Sequence, residues 1–226
     1  MLNYQVSPDL LQPLVPRGTE LDFWEGKAFV SVVGFLFLNT RVCGMPAPFH
    51  RNFEEVNLRF YVRRKVGGEW RRAVVFVREL VPRRAIAWAA RVFYNENYSA
   101  VPMAHRLDGS PSAMKSVLYS WRFRGKENHL KLATRGSAQP LQEGSEQEFI
   151  TEHYFGYARQ RDGSTLEYQV EHPRWRFWEA EAAQLNCDVA GLYGESFLEP
   201  LTAPPASAFL AEGSPVKVFR GIRLKP

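Results

Sequence analysis

The stretch Glu54-Glu55-Val56-Asn57-Leu58-Arg59-Phe60-Tyr61-Val62-Arg63-Arg64 alternates with a period of two. Val56, Leu58, Phe60 and Val62 share one side, and Glu55, Asn57, Arg59, Tyr61 and Arg63 share the other. Successive side chains of a strand point to opposite faces, so the pattern predicts a strand over about 54–65 with one apolar and one polar side. What the polar side faces decides the function. Against solvent it is ordinary surface. Inside a closed barrel, Asn57, Arg59 and Tyr61 line a pocket.

Downstream, Gly67-Gly68 followed by Trp70–Leu80 reads as a hairpin, because two adjacent glycines accept the positive φ angles of a tight turn. Upstream, Lys27–Leu38 reads as a strand apolar on both faces, hence covered on both sides. Ser7-Pro8 opens a short helix, with Ser7 as cap and Pro8 where a missing N–H costs nothing. Pro82 starts an Ala-rich helix with Ala85, Ile86, Ala89, Ala90 and Phe93 at helical spacing. Val117–Arg124 and Leu130–Arg135 predict a second hairpin. Ser145 with Glu148 forms a capping box before a helix reaching about Tyr154. Thr165–Glu171 predicts a strand, Trp175–Leu185 a strand end and a helical turn, and Ser196–Leu198 and Val216–Leu224 closing strands. There is no repeat, low-complexity tract or long linker. The prediction is one α+β domain over 1–226, a mostly antiparallel closed β-barrel with a few short helices.

Of 226 residues, 45% are hydrophobic and 14% aromatic, enough for a full core rich in strand formers. The net charge is +5, and only seven of the 29 basic residues are lysines. Arg63, Arg64, Lys65, Arg71 and Arg72 gather around the Gly67-Gly68 turn. Such a tip is commonly a solvated turn; the sharper alternative is a polyanion-binding surface. No nucleic-acid-binding signature accompanies it. Cys43 and Cys187 lack metal-ligand spacing and read as free thiols of a reducing cytoplasm. The longest apolar run, Ala28–Leu38, is too short for a membrane-spanning helix, so no membrane partner is expected.

No nucleophile elbow, P-loop or dinucleotide fingerprint is present. His50, His105, His129, His153 and His172 are scattered, and neither a metal nor a cofactor is expected. Lys115, in Ser112-Ala113-Met114-Lys115-Ser116, is weighed as a Schiff-base lysine against an exposed one, and the exposed reading is the commoner. Arg91, Tyr94, Glu96 and Tyr98 crowd the end of the Ala-rich helix. An Arg59–Glu96 fork would satisfy a buried arginine, or Arg59 would hold a carboxylate ligand instead. His172, held extended before Pro173, is a candidate general base.

Four separated segments carry a resemblance: Phe53–Val62, Glu152-His153-Tyr154-Phe155-Gly156-Tyr157, Val170-Glu171-His172-Pro173-Arg174-Trp175 and Pro205–Ser214. Together they resemble the YqjF-like family of uncharacterised bacterial proteins, which is similar to the acetoacetate decarboxylase superfamily. That resemblance covers nearly the whole chain and implies a cone-like barrel around an apolar pocket. Decarboxylases of this type carry paired lysines where this chain reads Ser99-Ala100-Val101-Pro102-Met103, which argues against Schiff-base chemistry. Family members often have an additional segment before the helix at Ser7, so either a strand is lacking here or the start is assigned downstream; the first alternative leaves one barrel edge open to homodimer pairing. The functional expectation is binding of a small, partly apolar molecule bearing a carboxylate or carbonyl. Its site is Asn57, Arg59, Tyr61, Tyr94, Glu96, Tyr119 and Trp121. The alternative is a lyase or hydrolase using Glu96 or His172 as acid–base.

Overall fold

A computed structural model describes residues 1–38, 41–42, 45–46, 52–83, 85, 87–88 and 95–224. The chain begins with strand β1 (Leu2–Val6), helix α1 (Pro8–Leu11), β2 (Glu20–Leu21) and the long β3 (Ala28–Phe37). A separate ribbon of β4 (Arg41–Val42) and β5 (Met45–Pro46) precedes the hairpin of β6 (Phe53–Val66) and β7 (Glu69–Val81). Next come β8 (Tyr98–Ala100) and a meander of β9 (Met103–Ser110), β10 (Ala113–Phe123) and β11 (Lys126–Gln139). Helix α2 (Glu146–Thr151) leads into β12 (Phe155–Arg159), β13 (Thr165–Glu171) and β14 (Phe177–Asn186). Short helices α3 (Val189–Tyr193) and α4 (Leu198–Thr202) precede β15 (Ser207–Ala211), β16 (Lys217–Val218) and β17 (Ile222–Leu224).

Fifteen of these strands form one sheet, in the order β16-β13-β12-β7-β6-β3-β1-β15-β14-β11-β10-β9, with β17 on β13, β2 on β6 and β8 on β7. Pairing is antiparallel except for β7 with β8 and with β12. The path has two ends, so the closed barrel expected from the sequence is corrected to an open, curled sheet. The β9 end approaches β6 through a side-chain bond, His105 Nδ1 to Glu54 Oε1 at 2.7 Å, without a backbone ladder. The segment before Ser7 forms a strand, β1, paired on both sides by β3 and β15.

Both faces of β6 are covered. Val56, Leu58, Phe60 and Val62 enter the main core with Leu2, Val30, Val32, Val117, Tyr119, Trp121 and Leu130. On the other side Tyr61 packs with Phe29, Val74 and the helix α2 residues Phe149 and Ile150. The first six residues of β3, Ala28–Val33, are all buried, as its two-sided apolar sequence requires. Gly67 and Gly68 make the hairpin turn with φ of +59° and +92°, the region where a Cβ is disfavoured. Ser7 and Ser145 cap their helices as predicted, accepting from Asp9 N and Glu148 N. Two local predictions fail. Residues 196–198 are helical turns, burying Phe197 and Leu201 one helical turn apart. The alanine-rich end of β14 stays extended to Asn186, because pairing with β11 overrides helix propensity.

Candidate functional site: a buried cluster of carboxyl groups

The register of β6 against β7 slips once. Leu58 lies opposite Arg78 but Arg59 opposite Phe76, so Val77 is an extra residue in β7. Such a bulge bends its strand and interrupts the ladder. Here the free Val77 carbonyl accepts from Asn97 Nδ2 at 2.9 Å. Asn95, at φ +54°, donates its amide to Arg159 O at 2.8 Å; asparagine tolerates this left-handed backbone. The two asparagines thus anchor a tight loop, and Glu96 between them is buried.

Beyond the bulge, Asn57 of β6 faces Glu79 of β7, and Glu79 is the parallel neighbour of Tyr98 in β8. Glu55 lies two residues before Asn57 on the same side of β6. Glu55, Glu79 and Glu96 are only 1%, 2% and 7% exposed. Asn57 Nδ2 and the Tyr98 hydroxyl donate to the two oxygens of Glu55, each at 3.0 Å. Tyr98 also reaches Glu79. The Tyr168 hydroxyl, from β13, donates to Glu96 Oε1 at 3.1 Å. Its ring gets there by crossing Gly156 of β12, where an added Cβ would sit 2.2 Å from Cζ. Glu79 Oε2 and Asn57 Oδ1 keep no partner among the described residues.

Burial dominates the electrostatics. It pushes the Glu55 carboxyl up to about 7 against the opposing hydrogen bonds from Asn57 and Tyr98. It pushes Glu96 up to about 8, opposed by Tyr168 and reinforced by Glu55. Glu79 is raised well above the carboxylate range by burial, then by Glu96 and Glu55. The phenols of Tyr98 and Tyr168 are raised too, again chiefly by burial, so they remain donors. Burial thus holds all three carboxyls above the ordinary carboxylate range. Among the described residues no group of three or more His, Cys, Asp or Glu is placed to hold a metal ion.

The residues singled out from the sequence separate into different neighbourhoods. Asn57 and Glu96 belong to the cluster. Arg59 and Tyr61 lie further along the same side of β6, under helix α2. Arg59 donates to Ile150 O at 2.9 Å and does not pair with Glu96, which corrects the expected fork. The Tyr61 hydroxyl lies 2.6 Å from Ser31 Oγ, which donates to Asn3 Oδ1. Tyr119 and Trp121 are across the sheet in the main core, where Gly34 makes room for the Tyr119 ring. Tyr94 and Arg91 lie outside the described residues. His172 is remote from the cluster. It stacks between Tyr154 and Trp175 at 4.9 and 4.1 Å, on the rim of an open depression of about 440 Å³ with Glu171 and Lys217. His153 is buried against Tyr61, and burial followed by the charges of Arg72 and Arg59 holds it neutral.

The basic tip is largely neutralised: Arg63 pairs with Glu20, Arg72 with Asp22, and Arg64 and Arg71 both with Glu167. Lys115 is exposed on β10. Cys187 is a free thiol, and Cys43 is outside the described residues. Sequence reasoning placed Glu55 on the polar face and Tyr98 beside Glu96 without assigning either to the candidate site, and did not single out Glu79 or Tyr168. The usable signal was Glu79, a carboxylate that with Arg78 interrupts the otherwise apolar Ala73–Val81.

Comparison with known proteins bears on this site. Residues 1–215 match the model of the DUF2071 family, described as "Uncharacterized conserved protein (COG2071)". The uncharacterized protein YqjF of Bacillus subtilis is 30% identical over 183 residues, 80% of this chain and 72% of that protein. Among solved structures, acetoacetate decarboxylase from Legionella pneumophila superposes with a TM-score of 0.58 at 13% identity, covering 99% of this chain and 83% of that one. The enduracididine biosynthesis enzyme MppR complexed with pyruvate gives 0.59 at 10% identity, covering 96% and 86%. At these identities the likeness is one of fold.

Proposed function

The chain belongs to the DUF2071 family, and we propose that it binds a small, partly apolar carbonyl compound at the Glu55–Glu79–Glu96 cluster and moves a proton on it. The observation that carries this reading is the burial of three carboxyl groups together with Asn57, Tyr98 and Tyr168, the neutral donors bonded to them among the described residues. Protonated carboxyls donate to a carbonyl oxygen, and an ionised one beside them accepts a proton from the adjacent carbon. The same concentration of acids disfavours a ligand carboxylate facing the cluster, so the carbonyl end points inward. Fold neighbours that include a decarboxylase and a pyruvate complex support a small oxo compound as the ligand class. Lysine chemistry is not part of the proposal, since Ser99–Met103 contains no lysine and Lys115 is exposed.

The test is exchange of the α-protons of pyruvate and of an uncharged ketone with deuterated solvent, followed by NMR. Exchange accelerated by the protein, lost in Glu96→Gln and retained in Lys115→Ala, is the expected outcome. Exchange at the uncatalysed rate, together with no thermal shift from either compound, would refute the proposal.

A further inference from the structure

Strand β9 ends the sheet. It bonds to β10 on one side only, and Ala104–Ser110 are exposed. Pro102 O accepts from Arg122 N at 3.0 Å, and the register pairs Met103 with Trp121 through Asp108 with Ser116. By the antiparallel alternation, the backbone groups of Ala104, Arg106 and Asp108 turn toward β10. Those of Met103, His105 and Leu107 turn outward, and among the described residues they join no strand ladder; the His105 side chain reaches Glu54 of β6. An exposed edge of this kind, lacking proline and lysine, is a template for another strand.

The charges on β9 select its partner. Consider a second copy laid antiparallel along the edge. A two-fold axis centred on any residue of the strand places outward-turned residues opposite one another, and the registers differ in what they set against Arg106. A two-fold axis at Arg106 sets Arg106 against its own copy, which is repulsive. An axis at His105 sets Arg106 against Ala104. An axis at Leu107 sets Arg106 opposite Asp108 of the other copy, and by symmetry does so twice. It also pairs the half-exposed Leu107 with itself. The left-handed Gly109, φ +111°, ends the regular edge just beyond.

We propose that β9 is a self-association edge, joining two copies of this chain antiparallel about a two-fold axis at Leu107, with Arg106 and Asp108 as the reciprocal ion pairs. The interface continues the sheet from one molecule into the next, and it is independent of the acidic cluster. Its short ladder makes a concentration-dependent dimer.

Charge exchange tests it on the full chain. Sedimentation velocity of the unmodified protein from about 1 to about 200 µM shows dimer formation rising with concentration. Arg106→Asp and Asp108→Arg each place like charges opposite one another twice, and each weakens self-association roughly tenfold or more. Mixing the two variants restores it, because each then offers the charges the other lacks; this restoration also shows that both are folded. The proposal is overturned if the unmodified protein stays monomeric throughout, if either variant dimerises as the unmodified protein does, or if the mixture stays monomeric.

Discussion

Replacing Glu96 by glutamine isolates the cost of the buried acid. Burial raises this carboxyl from the ordinary 4.5 to about 8, so the folded protein holds a proton that the unfolded chain releases. The favourable contribution of that proton is complete below about 4.5 and is lost as pH rises through about 8. The window spans roughly 3.5 pH units at about 1.4 kcal/mol each, or about 5 kcal/mol as an upper figure, because Glu55 and Glu79 share the repulsion. Glutamine is nearly isosteric with the protonated acid, and its oxygen still accepts from Tyr168. E96Q should therefore match the unmodified protein at pH 5 and exceed it by about 3–5 kcal/mol at pH 9. Urea unfolding at pH 5, 7 and 9, followed by tryptophan fluorescence, reads this directly. Only the difference between the two proteins matters: groups outside the cluster are common to both, and the relief that Glu79 gains from losing the Glu96 charge is part of the difference. Parallel stability–pH curves would refute the reasoning, because they would mean that Glu96 ionises alike in the folded and unfolded chains.

Gly156→Ala drives a Cβ into the Tyr168 ring, which must withdraw from Glu96; a loss of about 2–3 kcal/mol, seen as a lowered Tm, is expected. Tyr61→Phe removes one hydroxyl from the buried Ser31–Asn3 chain at a cost of about 1 kcal/mol in urea unfolding, while proton exchange on ketones is unchanged because Tyr61 is not in the acid cluster. Glu167→Gln leaves Arg64 and Arg71 without their shared counter-charge. Because both arginines are part-exposed, the expected loss is only about 1–2 kcal/mol, larger at low salt than at high salt because added ions screen the pairs.

The hairpins, the capped helices and the two-sided burial of β3 were legible because each follows from local rules: alternation, paired glycines, a serine before a helix. Strand β9 was not, since Met103–Ser110 shows little alternation and owes its conformation to pairing with β10. Sheet closure was also beyond the sequence. It depends on how β9 meets β6, where the structure shows the His105–Glu54 side-chain bond in place of a backbone ladder, and strand pattern does not say which strands come together.

The site was half legible, and the missing half has one physical cause. Alternation in 54–64 reveals that β6 has a polar side, but not which part of that side is dry, nor which strand stands opposite. The slip at Val77 sets both. It places Glu79 against Asn57, and its freed carbonyl binds Asn97, which fixes the loop that buries Glu96. A strand read in isolation makes Asn57, Arg59 and Tyr61 equivalent, whereas the structure gives Asn57 to the carboxyl cluster and Arg59 and Tyr61 to the packing beneath α2. One extra residue in the neighbouring strand thus turns a polar face into two sites of different character. Deleting Val77 should therefore raise the exposure of Glu96 and return its titration toward the ordinary carboxylate range, as followed by carbon-detected NMR of the carboxyl. A Glu96 that still titrates near 8 after the deletion would show that the bulge does not set the site.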